Sequence, residues 1–172
     1  MEAAFDRIAE KGFEGLRLRE VATAAGIDHS TLHHYFATKQ DLIAAVVDHA
    51  TGQFWMAAPP ERAGAASTLE DHLTMLGRMI QQRPALFAVL RELDLRGTRD
   101  PAVRAILDNR EAGWRTALAA RLQRSGWPDG PDAATSVELV IAVAKGVSLT
   151  PQRAVEVFGL LHQLLTRQGA RR

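Results

Sequence analysis

The stretch from Gly26 to Phe36 reads GIDHSTLHHYF, and the fold turns on how it is taken. Three imidazoles, His29, His33 and His34, stand among apolar neighbours behind a single glycine. Gly26 turns a chain readily through positive φ, so it ends whatever helix precedes it. That helix runs from Leu18 to Ala25, with Leu18, Val21, Ala22 and Ala25 along one face. Asp28 then sits as an N-cap, its carboxylate placed to accept from the amide of Ser30 or Thr31, and opens a third helix through Tyr35. Two short helices on a tight glycine turn, the second with a polar face, form a helix-turn-helix whose second helix suits the DNA major groove. Val21, Ala22, Ile27, Leu32 and Tyr35 are expected to pack between the two helices, leaving His29, Ser30, Thr31, His33 and His34 pointing outward.

Working outward, Phe5, Ile8 and Ala9 give a first helix from Glu2 to Lys11, stopped at Gly12. Thr38 caps a helix from Lys39 to about Ala57 with Leu42, Ile43, Val46 and Val47 facing inward. Pro59-Pro60 and the small, polar run Glu61 to Ala66 read as a break. Helical spacing resumes at Ser67 or Thr68, passes Pro84 into a further helix, and starts again at Asp100-Pro101. Gly126-Trp127-Pro128-Asp129-Gly130-Pro131 is a loop, followed by a helix from Asp132 to Leu149 and a last one that Thr150 caps and Pro151 starts. No segment alternates as a strand. The expectation is an all-α protein of about nine helices: a helix-turn-helix unit over residues 1–47 and a helical ligand-binding and dimerisation domain over 48–172. The helix beginning at Lys39 is expected to be the one element common to both.

Composition narrows the function. The 172 residues are 47% hydrophobic and 24% charged, ordinary for a globular chain. No run approaches the roughly 18 apolar residues of a membrane span, and Glu2, Asp6, Arg7, Glu10 and Lys11 interrupt any signal peptide, so a cytoplasmic protein without a membrane partner is expected. Zero cysteines exclude disulfides, thiolate metal sites and a cysteine nucleophile. No paired carboxylates stand near a histidine in a recognisable spacing, and no glycine-rich phosphate loop occurs, which argues against an enzyme. Net charge is +1, yet residues 1–50 carry 5 Lys+Arg against 8 Asp+Glu, so a nucleic-acid partner must be argued from local placement of charge.

Gly12-Phe13, Arg19, Val21-Ala22, Ala25-Gly26-Ile27, Thr31-Leu32, Tyr35-Phe36 and Thr38-Lys39 together make the sequence resemble the tetracycline-repressor (TetR) family of bacterial transcription regulators, over about residues 4–47. The resemblance implies a ligand-responsive repressor acting as a homodimer on a pseudo-palindromic site in double-stranded DNA, with an unknown small-molecule effector and no cofactor. It implies that Thr31, Tyr35 and Lys39 touch phosphates while His29, Ser30, His33 and His34 approach base edges or backbone. Lys39 in a first helical turn also suits a phosphate on physical grounds, and Arg19 would be a second backbone anchor. The chain departs from the family pattern at His29, at His33, where tyrosine is usual, and at Leu16-Arg17, where a hydroxyl usually caps the second helix. It also begins inside the first helix, where relatives carry several more residues, which implies a truncated or misassigned start. The alternative reading is a ligand- or protein-binding helical module that has lost DNA binding.

His29 and His33 have the i, i+4 spacing at which two imidazoles share a metal. The helix lacks the glutamate of a zinc-protease motif, and Asp28 has a capping role, so the pair is read as groove-facing with no metal expected. His72, Met75, Met79, Phe87, Arg110, Trp114 and Leu118 are the candidates for lining an effector pocket, with Arg78 and Glu92 as further polar groups to orient a ligand. The last two helices carry more apolar residues than one internal face needs, so Val137, Val140, Ile141, Val155, Phe158, Leu161, Leu164 and Leu165 are expected at a dimer interface.

Overall fold

The structure is a computed structural model that describes residues 1–56, 68–127 and 131–169. Among the described residues there are nine α-helices and no strand: α1 (Glu2–Lys11), α2 (Leu18–Ala24), α3 (His29–Tyr35), α4 (Lys39–Met56), α5 (Leu69–Gln82), α6 (Pro84–Gly97), α7 (Pro101–Arg124), α8 (Pro131–Val147) and α9 (Ala154–Gly169). The fold is all-α, as the sequence pattern implies. The break at Pro59-Pro60 and Glu61 to Ala66, and residues 128–130 of the later loop, lie outside the described residues.

Side-chain caps fix where these helices begin. Asp28 Oδ1 accepts the Thr31 amide at 2.7 Å at the start of α3. At α4 the Asp41 amide donates to Thr38 Oγ1 at 3.1 Å while the Thr38 amide donates to Asp41 Oδ2 at 2.8 Å, a reciprocal capping box. Thr68 and Asp71 repeat it at α5. Thr150 does not cap the last helix as expected. Its backbone, at φ −130° and ψ 64°, lacks the extended N-cap conformation, and Pro151–Arg153 winds as a 3-10 turn before α9 starts.

Two helix ends share one stop signal. Gly26 adopts φ 68°, and the Ile27 amide reaches back to the Ala22 carbonyl at 3.0 Å. Gly126 does the same at φ 86°, with Trp127 bonded to the Leu122 carbonyl at 3.1 Å. In both, the left-handed glycine reverses the chain and satisfies a carbonyl the helix leaves open.

The chain packs as two compact units. The first holds Met1–Met56 together with Ala85–Asn109, so α6 and the beginning of α7 belong with the helix-turn-helix. Its core gathers Phe5 and Ile8 of α1, Phe13 and Leu16 of the following turn, Val21, Ala22 and Leu32 of the helix-turn-helix, Leu42, Ile43, Val46 and Val47 of α4, and Leu86, Val89 and Leu93 of α6. The second unit takes α5, the remainder of α7, α8 and α9. Its principal helix pair is α5 against α9. Gly77 permits their approach, since a Cβ there would lie 3.1 Å from the Val155 Cα. The helix expected to be common to both units, α4, falls in the first, whereas α7 contributes residues to each.

Candidate nucleic-acid interface

Leu32 anchors α3 to the core of the first unit at 4% exposure. Ser30, His33 and His34 are exposed, and His29 and Thr31 half-buried, so the polar residues share the outward side. Tyr35 was expected between the helices, but its ring is 71% exposed. Phe36, the next residue, is half-buried. Arg19 on α2 and Lys39 on α4 are exposed as well.

The electrostatics of α3 begin with Asp28. The Ser30 hydroxyl donates to its Oδ1 and the Thr31 hydroxyl to its Oδ2 at 3.0 Å, beside the Thr31 amide at 2.7 Å. The Ser30 hydroxyl first, and the Thr31 amide and hydroxyl after it, hold the carboxyl down at about 2. A permanent negative charge therefore stands at the start of α3, and both hydroxyl protons are spent on it. For Thr31 or Ser30 to donate to a phosphate, its hydroxyl must first leave Asp28. Of the three imidazoles, His29 and His33 stand edge to face with ring centroids 4.4 Å apart, and His34 turns to Tyr35 at 5.9 Å.

Two long-range polar staples hold this head, and neither was read from the sequence. Glu92 of α6, grouped there with the ligand-orienting residues, instead accepts the Phe13 amide at 3.2 Å. Gly12 sits at φ 65° and ψ −176°, a region open essentially to glycine alone, and a Cβ there would meet Glu92 Oε2 at 2.8 Å. Lys39 Nζ reaches the Phe13 carbonyl at 3.5 Å, so the lysine expected to meet phosphate leans toward the same turn. In the second staple Gln40 Nε2 donates to Asp100 Oδ2 at 2.8 Å. Asp100 also pairs with Arg96 at 3.2 Å and caps α7 through the Ala102 amide at 3.1 Å. Its carboxyl is held below the usual carboxylate range, first by Gln40. The sequence signal nearest to either staple was Asp100-Pro101 as the start of a helix.

In the second unit the structure brings together His72 and Trp114, whose indole donates to His72 Nε2 at 3.1 Å. That bond leaves the ring proton on Nδ1. Burial first, and the Arg121 charge second, push the His72 pKa down to about 4, so the ring is neutral at pH 7. Met79 and Leu118 are buried in the same unit and Met75 is half-buried. Arg110 is exposed rather than buried. Phe87 belongs to the first unit, where its ring meets Phe54 with centroids 6.3 Å apart.

The residues expected at a dimer interface divide in two. Val137, Val140, Ile141, Phe158, Leu161 and Leu165 are buried within the single chain, because the contacts of α9 with α5 and α8 already cover them. Val155 and Leu164 remain exposed, joined by Leu139, Leu149 and Leu160. The apolar excess read from the sequence is thus exposed at Val155 and Leu164 of that set and at Leu139, Leu149 and Leu160 beside it.

Residues 1–46 match the family described as bacterial regulatory proteins, tetR family. An HTH-type transcriptional repressor of Mycobacterium tuberculosis is 35% identical over 49 residues, which is 28% of this chain and 26% of that protein. The match therefore spans about a quarter of that relative's length. The fold extends further: a TetR-family transcriptional regulator from Rhodococcus sp. superposes with a TM-score of 0.82 at 21% identity, covering 96% of this chain and 95% of that one. AibR, solved with isovaleryl coenzyme A and operator DNA, superposes with a TM-score of 0.73 at 16% identity, covering 96% and 97%. Among the described residues no helix is long and apolar enough to cross a membrane.

Proposed function

We propose that the chain, whose residues 1–46 match the tetR family of bacterial regulatory proteins, is a ligand-responsive repressor rather than an enzyme, binding a pseudo-palindromic site in double-stranded DNA as a homodimer. The observation that carries this reading is α3 itself: a short helix set by the Gly26 turn, anchored inward by Leu32 and presenting His33, His34 and Tyr35 to solvent. A DNA target puts its work in the cytoplasm. His29, Ser30, His33 and His34 are the base-facing candidates, and Arg19, Thr31, Tyr35 and Lys39 the backbone anchors. A second copy docked on Leu139, Val155, Leu160 and Leu164 would supply the second reading head.

The effector site proposed for the second unit centres on His72, Trp114, Met79 and Leu118. With His72 neutral, it suits a largely apolar small molecule better than an anion. The effector acts by population shift, binding one arrangement of the heads better than another. The two staples make α6 and α7 the route into the head, since Glu92 holds the turn before α2 and Asp100 holds the start of α4.

Fluorescence anisotropy with a duplex from the gene's own upstream region tests the reading. Saturable, salt-dependent binding is expected. Lys39→Ala should weaken binding to every sequence and lower the salt slope by about 1, whereas His33→Ala should change sequence preference. Identical behaviour of the two variants would refute this division of roles. Asp28 favours a second reading, a helical module that has lost DNA binding, because its charge and its hold on Ser30 and Thr31 oppose phosphate contact. No binding to the upstream duplex at low salt would select it.

A further inference from the structure

We propose that His29 and His33 form a two-imidazole clamp for a late first-row divalent transition ion, and that the bound ion removes the sequence preference of α3. The consequence for DNA rests on the function proposed above; the clamp itself does not. The two residues sit one turn apart on the same side of α3, and their rings already meet at a centroid separation of 4.4 Å and an interplanar angle of 82°. Two nitrogens on one ion, at bonds of about 2.0–2.1 Å, stand about 3 Å apart, and imidazoles at i and i+4 on one helix face can share such an ion.

Neither imidazole is held by another side chain among the described residues. Among the described residues the only interaction of His29 and His33 is with each other. The remaining histidines are placed differently: His34 turns to Tyr35, His49 bonds Gln53 at 2.7 Å, and His72 accepts from Trp114. His162 lies on α9, where its carbonyl accepts from the Thr166 hydroxyl at 2.7 Å. Asp28, the carboxylate next to the pair, is occupied by Ser30 and Thr31. The donors are thus imidazole nitrogens without oxygen or thiolate support, a set that takes Cu(II), Ni(II) or Zn(II) and discriminates against Mg(II) and Ca(II). No group of three or more metal-binding side chains is assembled among the described residues. The ion therefore keeps water in its other positions and exchanges readily, as a sensing site requires and a structural one does not.

An ion held here engages the ring nitrogens that would otherwise meet base edges, and it adds two positive charges beside the duplex. Base discrimination falls while the sequence-independent attraction to phosphates persists.

The test is titration of the untagged, full chain with Cu(II), followed by calorimetry and by electron paramagnetic resonance of the bound ion. One ion per chain with two imidazole nitrogens is expected, weakened at least tenfold in His29→Gln and in His33→Gln and unchanged in His34→Gln, with circular dichroism checking that each variant is folded. Equal affinity in wild type and both pair variants, or an equal loss in His34→Gln, would overturn the clamp. With the upstream duplex, Cu(II) should reduce the ratio of specific to unrelated DNA affinity at least tenfold, reversed by EDTA. A ratio unmoved by an ion that does bind the pair would overturn the link to DNA. A chain that binds no DNA sinks the proposed function, and the metal isotherms still judge the clamp.

Discussion

Replacing Gly12 by alanine sets two penalties against the first unit, and they can be separated. Any residue with a side chain at φ 65° and ψ −176° stores about 1–3 kcal/mol of backbone strain. The new Cβ would also lie 2.8 Å from Glu92 Oε2 and 3.2 Å from its carboxyl carbon, so Glu92 must withdraw. The Phe13 amide then loses an ionised acceptor it now reaches at 3.2 Å. Hydrogen bonds to charged groups contribute about 1.5–3 kcal/mol, and the length and partial exposure of this one select the lower end, about 1.5. Gly12→Ala should therefore destabilise by about 2.5–4.5 kcal/mol, less about 0.4–1 recovered from the stiffer unfolded chain. In a Glu92→Ala background the bond is already gone and so is the carboxyl that crowds the Cβ, so only the strain remains. The cycle predicts a coupling of about 1.5 kcal/mol, in which the unfolded-chain contribution cancels. Urea unfolding of the four proteins by far-ultraviolet circular dichroism, at constant m, measures it. If Gly12→Ala costs the same within about 0.5 kcal/mol in both backgrounds, Glu92 does not hold that turn.

His72 carries a pH dependence of definite sign. Its folded pKa, about 4, lies below the usual 6.5, so the unfolded chain takes up a proton that the folded one refuses. The stability is full above pH 6.5, and roughly 3 kcal/mol should be lost as the pH falls to about 4; a His72→Leu variant with an unchanged slope in that window would refute this. Gly77→Ala should destabilise by up to about 2 kcal/mol, because the crowding against the Val155 backbone, typically about 1–3, exceeds the helix-propensity gain of about 1. Gly146→Ala, with nothing within 4 Å of its Cβ, should stabilise by about 0.5–1 kcal/mol, and opposite signs in thermal melts check the pair. If the chain pairs as proposed, Leu160→Asp with Leu164→Asp should give monomers in sedimentation equilibrium at micromolar concentration, whereas a dimer persisting in that variant would move the interface elsewhere. Asp28→Asn should keep the cap and remove the charge at the start of α3, raising DNA affinity at low salt; unchanged anisotropy isotherms would show that the charge is immaterial.

What the sequence made legible was local. The Gly26 turn, the Asp28 cap and the Thr38 cap each depend on residues a few positions apart, where backbone geometry and short side chains decide the outcome. The staples were not legible, since Glu92 and Phe13 are 79 positions apart and Gln40 and Asp100 are 60, and no periodicity reports such a pairing. Apolar patterning on α8 and α9 showed an excess without saying who covers it. Val140 and Phe158 turned out to be covered by their own chain and Leu160 and Leu164 not, a distinction that needs helix positions. Tyr35 was misplaced for a similar reason, because its ring is apolar enough for a core and its hydroxyl polar enough for a surface.

Asp100 gathers more partners than any other carboxylate described above. Oδ2 accepts from Gln40 and Arg96, and Oδ1 from the amides of Ala102 and Val103. Both lone-pair sets are thus engaged, and an asparagine in its place would turn one saturated acceptor into a donor facing donors. Position 40 is bound by the same arithmetic: in related chains it should drift only among side chains that offer a proton, or else change together with position 100.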